Sequence, residues 1–327
     1  MKDTYAFFAH ARTAMVYGLR SFDISNDDVV LIPDYICSAV PQALSDVCKF
    51  VYYPVNNDFT PDWGKLNEIV GDETKAIMMV HYFGQSQHIE KFLKFSKEYG
   101  LLLIEDNSHG HSGLINERVL GTYGDIGFSS PRKILKTNSG GALYLNGDLV
   151  SAPNTMKRIE SNLIKNKCRS FINNYKALKG NLRKVFFKSP NFLDPYYYKE
   201  STVKKYRADL YSEKIIKSTD WKEIASDRRN RWDQWAEFAI NNGLKLIWEK
   251  PSDNSCPWAL PVYALNKDDK VYWLKWGWEH GFDIFPWPSL SPEIIEHSND
   301  CVDRWELLLC FSLHKGPPKE FSYTNKS

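Results

Sequence analysis

Apolar residues fall at helical spacing over 12–22, RTAMVYGLRSF, with Ala14, Val16, Tyr17, Leu19 and Phe22 on the repeating positions. The spacing predicts a helix there, with Thr13 at its beginning. DDVVLIPDY follows, a short apolar run ended by Pro33, and reads as a buried strand. SAVPQALSDV reads as a helix and KFVYYPV as a strand. KAIMMVHYFG is an apolar run that ends in polar residues and glycine. QHIEKFLKFSKEYG is amphipathic and closes on Gly100, a helix stop. LLLIEDNSHG is another buried strand, ending in acids. GDIGFSS and GGALYLNGD are two more short strands that flank a polar segment. Strands that are apolar throughout, alternating with helices, predict an α/β fold with a mostly parallel central sheet covered on both faces. Ligands bind such sheets beyond the carboxyl ends of the strands. Those ends are Pro33-Asp34-Tyr35, His81 to Gly84, Glu105-Asp106 and Phe128-Ser129-Ser130.

Beyond about residue 150 the texture changes. Residues 154–210 are rich in Lys, Asn and Tyr and weakly periodic. TDWKEIASDRRNRWDQWAEFAINNG is a long helical candidate capped at Ser218 or Thr219. Short strands (WALPVYAL), a helix (KDDKVYWLKWGWEHG) and an aromatic, proline-rich loop (FDIFPWPSLSPE) complete a smaller α+β domain. The expected division is 1–210 for a large domain and 211–327 for a small C-terminal one.

Composition narrows the function. The 327 residues are 43% hydrophobic and 25% charged, as in globular proteins. Lys+Arg 42 against Asp+Glu 40 gives +2, a balance that points away from a nucleic-acid partner or a polybasic membrane patch. No stretch reaches the roughly 20 apolar residues of a membrane-spanning helix. The start of the chain does not read as a signal peptide, and the six scattered cysteines form no CxxC pair. No metal site, no disulfide framework and a reducing cytoplasm are expected. GxGxxG and GxxxxGK[ST] are absent, so dinucleotide and P-loop readings have no support.

Three places carry candidate chemistry. Asp106 ends an apolar strand, where a carboxylate caps a helix, joins an ion pair or meets a cationic ring nitrogen. His109 lies three residues on and is placed to orient that acid or stack on a ring; a lone histidine is more often structural. FSSPRKILKTNSGG (128–141) holds Lys133 and Lys136, and most lysines are solvated. Lys133 follows a buried strand, a serine pair and a proline. Arg132 beside it favours a neutral amine nucleophile. Ser130 suits a phosphate, and Gly140-Gly141 permits close backbone approach. Thr13, at a helix start, makes a weak anion site with the backbone beside it.

In their order these fragments resemble the DegT/StrS-type aminotransferases, pyridoxal-phosphate enzymes of fold type I that aminate keto sugars attached to nucleotides. The closest stretch is KAIMMVHYFGQSQHIEKFLKFSKEYGLLLIEDNSHGHSG, against the family's VHxxG, helix and ED-x-A-[HQ] pattern. The resemblance implies that Asp106 partners the pyridinium and that His109 takes the family's His/Gln position. It implies that Lys133 forms the Schiff base, since the glycine pair begins seven residues after the family's lysine. It places the cofactor phosphate at Thr13, Ala14 and Ser130, and Tyr35 over the ring. The implied reaction moves an amino group from glutamate or glutamine to a keto sugar, for surface polysaccharide such as O-antigen, in a homodimer with the site at its interface. Ser139 stands where the family commonly has an acid before the glycine pair, and the partner-subunit asparagine of the phosphate site has no clear match in 155–210. A small phosphorylated ketone as acceptor, sugar dehydration, and a degenerate scaffold subunit are the alternatives; retention of Lys133 argues against the dehydratase.

Overall fold

The computed structural model describes residues 5–160, 191, 194–195 and 206–318. Its centre is a seven-stranded sheet in the order β2-β1-β3-β4-β7-β8-β9. These strands are β1 (Val29–Pro33), β2 (Lys49–Tyr53), β3 (Thr74–Val80), β4 (Leu102–Asn107), β7 (Ile126–Ser129), β8 (Ala142–Leu145) and β9 (Asp148–Val150). β5 (Leu114–Ile115) and β6 (Arg118–Val119) form a small hairpin on the way to β7. Pairing from β2 through β7 is parallel, and β8 and β9 are antiparallel. Ala76, Ile77, Met78 and Met79 of β3 are all fully buried. That is why the strand is apolar at every position from Ala76 to Val80 rather than at alternate ones: both faces are covered there.

The register sets the site. Val80 pairs with Asp106, Asp106 with Phe128, and Asn107 with Ser129, so three strand ends finish at one level. Helix α1 (Ala11–Ser21) lies on β7 and β8. Gly18 lets it lie close, since a Cβ there would come 2.6 Å from Ile126. The expected helix over 12–22 is present, but its N-cap is His10, and Thr13 is the third helical residue. Helix α2 (Ala39–Leu44) follows β1, α3 (Trp63–Ile69) follows β2, and α4 (Ile89–Tyr99) precedes β4. Gly100 closes α4 in the left-handed conformation, φ 65°, as its sequence indicates.

The remaining described chain builds a second sheet from β10 (Lys245–Leu246), β11 (Ala259–Tyr263), β12 (Ile284–Phe285) and β13 (Leu308–Ser312), in the order β10-β11-β13-β12 and all antiparallel. Its core gathers Trp232, Trp235, Trp273, Trp276 and Phe311. The long helix Trp221–Asn241 is capped by Asp220, whose carboxylate accepts the N–H groups of Lys222 (3.0 Å) and Glu223 (3.2 Å). Ser218 and Thr219 are not the caps because their hydroxyls are bound to the Ile215 carbonyl of the preceding helix. The first core continues through Trp287, Leu290, Trp305 and Cys310, so the two parts meet over a continuous apolar wall. Among the described residues no helix is long and apolar enough to cross a membrane.

Candidate active site

A pocket opens at the shared level of the β3, β4 and β7 ends, between the start of α1 and the short helix α5 (Pro131–Leu135). Asp106, His109, Ser130 and Lys133 all line it. Arg12 and Arg132, Ile36 and Cys37, and Phe128 and Trp287 line it too.

Glu105 and Asp106 are adjacent on β4 and turn to opposite faces. Glu105 is fully occupied. It accepts from His81 Nε2 at 2.8 Å and from the N–H groups of Gly121, Tyr123 and Gly124 at 2.6, 2.6 and 3.0 Å. Burial raises its pKa, but these donors outweigh burial and hold the carboxyl below its usual value. Asp106 faces the pocket and accepts the Ser108 N–H at 2.7 Å. Burial dominates here and lifts its pKa, against Ser108, the charge of Lys133 and His81. No ion pair within salt-bridge distance reaches Asp106 among the described residues. It is a buried carboxylate whose environment calls for a cation.

His109 accepts the Phe83 N–H at Nδ1, 3.1 Å. Burial, then the nearby Lys133 charge, depress its pKa well below the ordinary histidine value. The ring is therefore neutral with its proton on Nε2. It stacks on Trp258 at 4.5 Å and 27°, and Trp287 stands edge-on at 4.9 Å. His111 is a separate structural group, bonded to Ser129 Oγ at 2.7 Å, and burial pushes its pKa to about 3.

The two lysines of FSSPRKILKTNSGG part company. Lys133 reaches into the pocket with Nζ over the Trp258 ring, 4.7 Å from its centre. Lys136, in the left-handed conformation after α5, is paired with Asp283 of the small part at 2.5 Å. The small part also holds α5 by its main chain. His314 Nε2 donates to the Lys133 carbonyl at 3.2 Å, and buried Arg228 donates to the Ile134 carbonyl at 3.4 Å. These carbonyls lie in the last turn of a helix, where they have no partner within it. Burial, then Arg228 and Lys136, keep His314 neutral.

Three expected residues lie off the pocket lining. Thr13 is buried in the first turn of α1, and the lining residues of that helix start are His10, Ala11 and Arg12. Ala14, fully buried, faces the core. Tyr35 sits behind the wall, packed between Phe59 and Trp287, with its hydroxyl on the Trp287 carbonyl at 2.9 Å. Trp287, from the aromatic, proline-rich loop, lines the pocket beside Phe128. The glycine pair approaches the helix start rather than open space: a Cβ at Gly141 would lie 2.4 Å from the carbonyl carbon of His10. Ser139, in place of an acid, bonds to the carboxylate of Asp209 at 2.6 Å, so a carboxylate reaches this spot from another helix cap. Residues 155–210, where the family's partner-subunit asparagine is expected, lie largely outside the described residues.

Residues 6–183 match the DegT/DnrJ/EryC1/StrS aminotransferase family, over more than half of the chain. The chain belongs to this family. Its members are pyridoxal-phosphate-dependent aminotransferases. Among curated relatives, the chain is 33% identical over 124 residues to a dTDP-3-amino-3,6-dideoxy-alpha-D-galactopyranose transaminase of Aneurinibacillus thermoaerophilus, covering 37% of this chain and 34% of that one. It is 31% identical over 147 residues to a GDP-perosamine synthase of Caulobacter vibrioides, covering 43% and 39%. The matched chain thus spans between a third and two-fifths of these relatives. Among solved structures, 3-amino-5-hydroxybenzoic acid synthase superposes with a TM-score of 0.65 at 16% identity, over 94% of this chain and 80% of that one. The PLP form of a sugar aminotransferase from Streptococcus pneumoniae, described as putative, gives 0.65 at 12% identity, over 95% and 82%. These likenesses show the fold, the fold-type-I aminotransferase architecture.

The residues fit the family's cofactor. A pyridinium N–H would place a cation against buried Asp106, and Lys133 lines the same pocket.

Proposed function

We propose that this chain is a pyridoxal-phosphate-dependent aminotransferase, moving the amino group of glutamate or glutamine onto a keto sugar carried by a nucleotide, for surface polysaccharide. The observation that carries it is that Asp106 and Lys133, from different elements, line one pocket while Lys136 is tied away from it. When bound, the cofactor supplies the electron sink for loss of a proton from an amino-acid carbon. Asp106 holds a proton on the ring nitrogen. Lys133 Nζ would hold the cofactor and would serve as the base that takes and returns the substrate proton. Neutral His109 lines the same pocket, and Ser130 offers a hydroxyl that α5 does not use as a cap. The dTDP- and GDP-sugar relatives support the nucleotide-linked acceptor. The proposal includes a homodimer in the cytoplasm, and a large part through residue 210 with a small part from 211.

The test is visible absorbance of the protein with pyridoxal phosphate, before and after glutamate, in wild type, Lys133→Ala and Lys136→Ala. The expected result is a yellow band in wild type and Lys136→Ala that glutamate bleaches, and none in Lys133→Ala. A band lost only in Lys136→Ala, or none in wild type, overturns the reading.

A further inference from the structure

The pocket carries more positive charge than one lysine requires. Among its described lining residues Arg12, Arg132 and Lys133 are basic, and Asp106 is the one acid. Arg12 is only 8% exposed, and a guanidinium keeps its charge when buried. Arg12 is the second residue of α1, where the N–H groups of Ala11 and Arg12 have no acceptor within the helix. Thr13 N–H and Ala14 N–H are already bound to the His10 carbonyl, both at 3.1 Å.

The glycine pair brings the two arginine segments together. A Cβ at Gly141 would lie 2.7 Å from the Ala11 nitrogen, and one at Gly140 would lie 3.6 Å from the Arg132 nitrogen. Consecutive Cα atoms are about 3.8 Å apart. One dipeptide therefore abuts both the start of α1 and the backbone of Arg132. Main-chain bonds fix it there: Gly140 N–H to the Ala9 carbonyl at 2.9 Å and Gly141 N–H to the Phe8 carbonyl at 2.7 Å. Ser130 lies two residues before Arg132 on the same lining.

We propose that Arg12 and Arg132 form a two-guanidinium grip on the cofactor's phosphate. A phosphate ester carries about −1.5 to −2 charges near pH 7. Two guanidinium groups match that charge, and their planar forks suit phosphate oxygens. Lys133 and Asp106 are left to the ring end of the cofactor. This inference rests on the cofactor reading above.

Pyridoxal, which lacks the phosphate, separates the two. The dissociation constants of pyridoxal phosphate and pyridoxal are measured by absorbance titration of the full chain stripped of cofactor, in wild type, Arg12→Gln, Arg132→Gln and Arg12→Lys. Each glutamine variant should weaken pyridoxal phosphate about tenfold or more, as expected for a lost charged hydrogen bond, and leave pyridoxal within about twofold. Arg12→Lys should recover part of the loss. Should Arg12→Gln fail to fold, Arg132→Gln, at a half-buried position, carries the test. Unchanged affinity for pyridoxal phosphate, or equal weakening of both compounds, overturns the grip while the cofactor reading stands. Failure of wild type to bind either compound overturns the cofactor reading and the grip with it.

Discussion

Glu105 and Asp106 show how far neighbouring residues diverge when a strand turns them to opposite faces. Glu105 is a structural anion with four donors, and Asp106 is a site anion with a pocket in front of it. Replacing Glu105 by Gln should destabilise the fold by about 3 kcal/mol, because a buried donor set loses its charged acceptor. The pH dependence follows from the direction of its shift. A carboxyl held below its usual value of 4.5 contributes stability that is present above pH 4.5 and lost as pH falls through the folded value. Urea unfolding across that window should show a shallower acid loss in Glu105→Gln than in wild type; equal slopes would remove Glu105 as the source. The acid pair at a strand end was legible in LLLIEDNSHG. Tyr35 was placed over the ring from the order of fragments, yet its side chain points into the core, and Ile36 and Cys37 take the lining. Side-chain direction after a strand end depends on a turn whose geometry no local pattern specifies. Nothing near Arg12 in the chain marks it as buried, yet it is 8% exposed.

Among elements, the helices with strong signals lie where the periodicity puts them, and their caps are less regular. His10 caps α1 without a side-chain bond. The glycine pair was read as allowing close approach, and the partner in that approach is the backbone of His10 and Ala11. Gly141→Ala should therefore push the start of α1 off the sheet edge, costing about 1–3 kcal/mol. It should also weaken pyridoxal phosphate more than pyridoxal. Thermal unfolding with and without each compound checks both; a stable variant with wild-type affinity would show that the helix start tolerates displacement. The alternation of strand and helix was visible because parallel strands buried on both faces are apolar at every position. GGALYLNGD marks β8 as a strand but not its antiparallel direction, which the connection decides, and the three residues of β9 carry no pattern of their own.

For the whole molecule, the change of texture near residue 150 signals a second part, but not how it meets the first. Helix Leu210–Ser218 bonds back to the large part: Glu213 accepts the Phe7 N–H at 3.0 Å and pairs with Arg158 at 2.9 Å. The Lys136–Asp283 pair joins the two parts at a partly exposed position. Screening there limits its worth, so Lys136→Ala should cost about 1 kcal/mol or less in urea unfolding. A loss of several kcal/mol would mean that the parts are held mainly by this pair and not by the apolar wall. The firmer hold lies deeper, where His314 and Arg228 grasp the carbonyls of Lys133 and Ile134. Those contacts address the peptide and leave the ammonium group alone. The lysine is then a swinging arm on a fixed shoulder: its tip can let go of one partner and reach another while the joint that aims it never loosens.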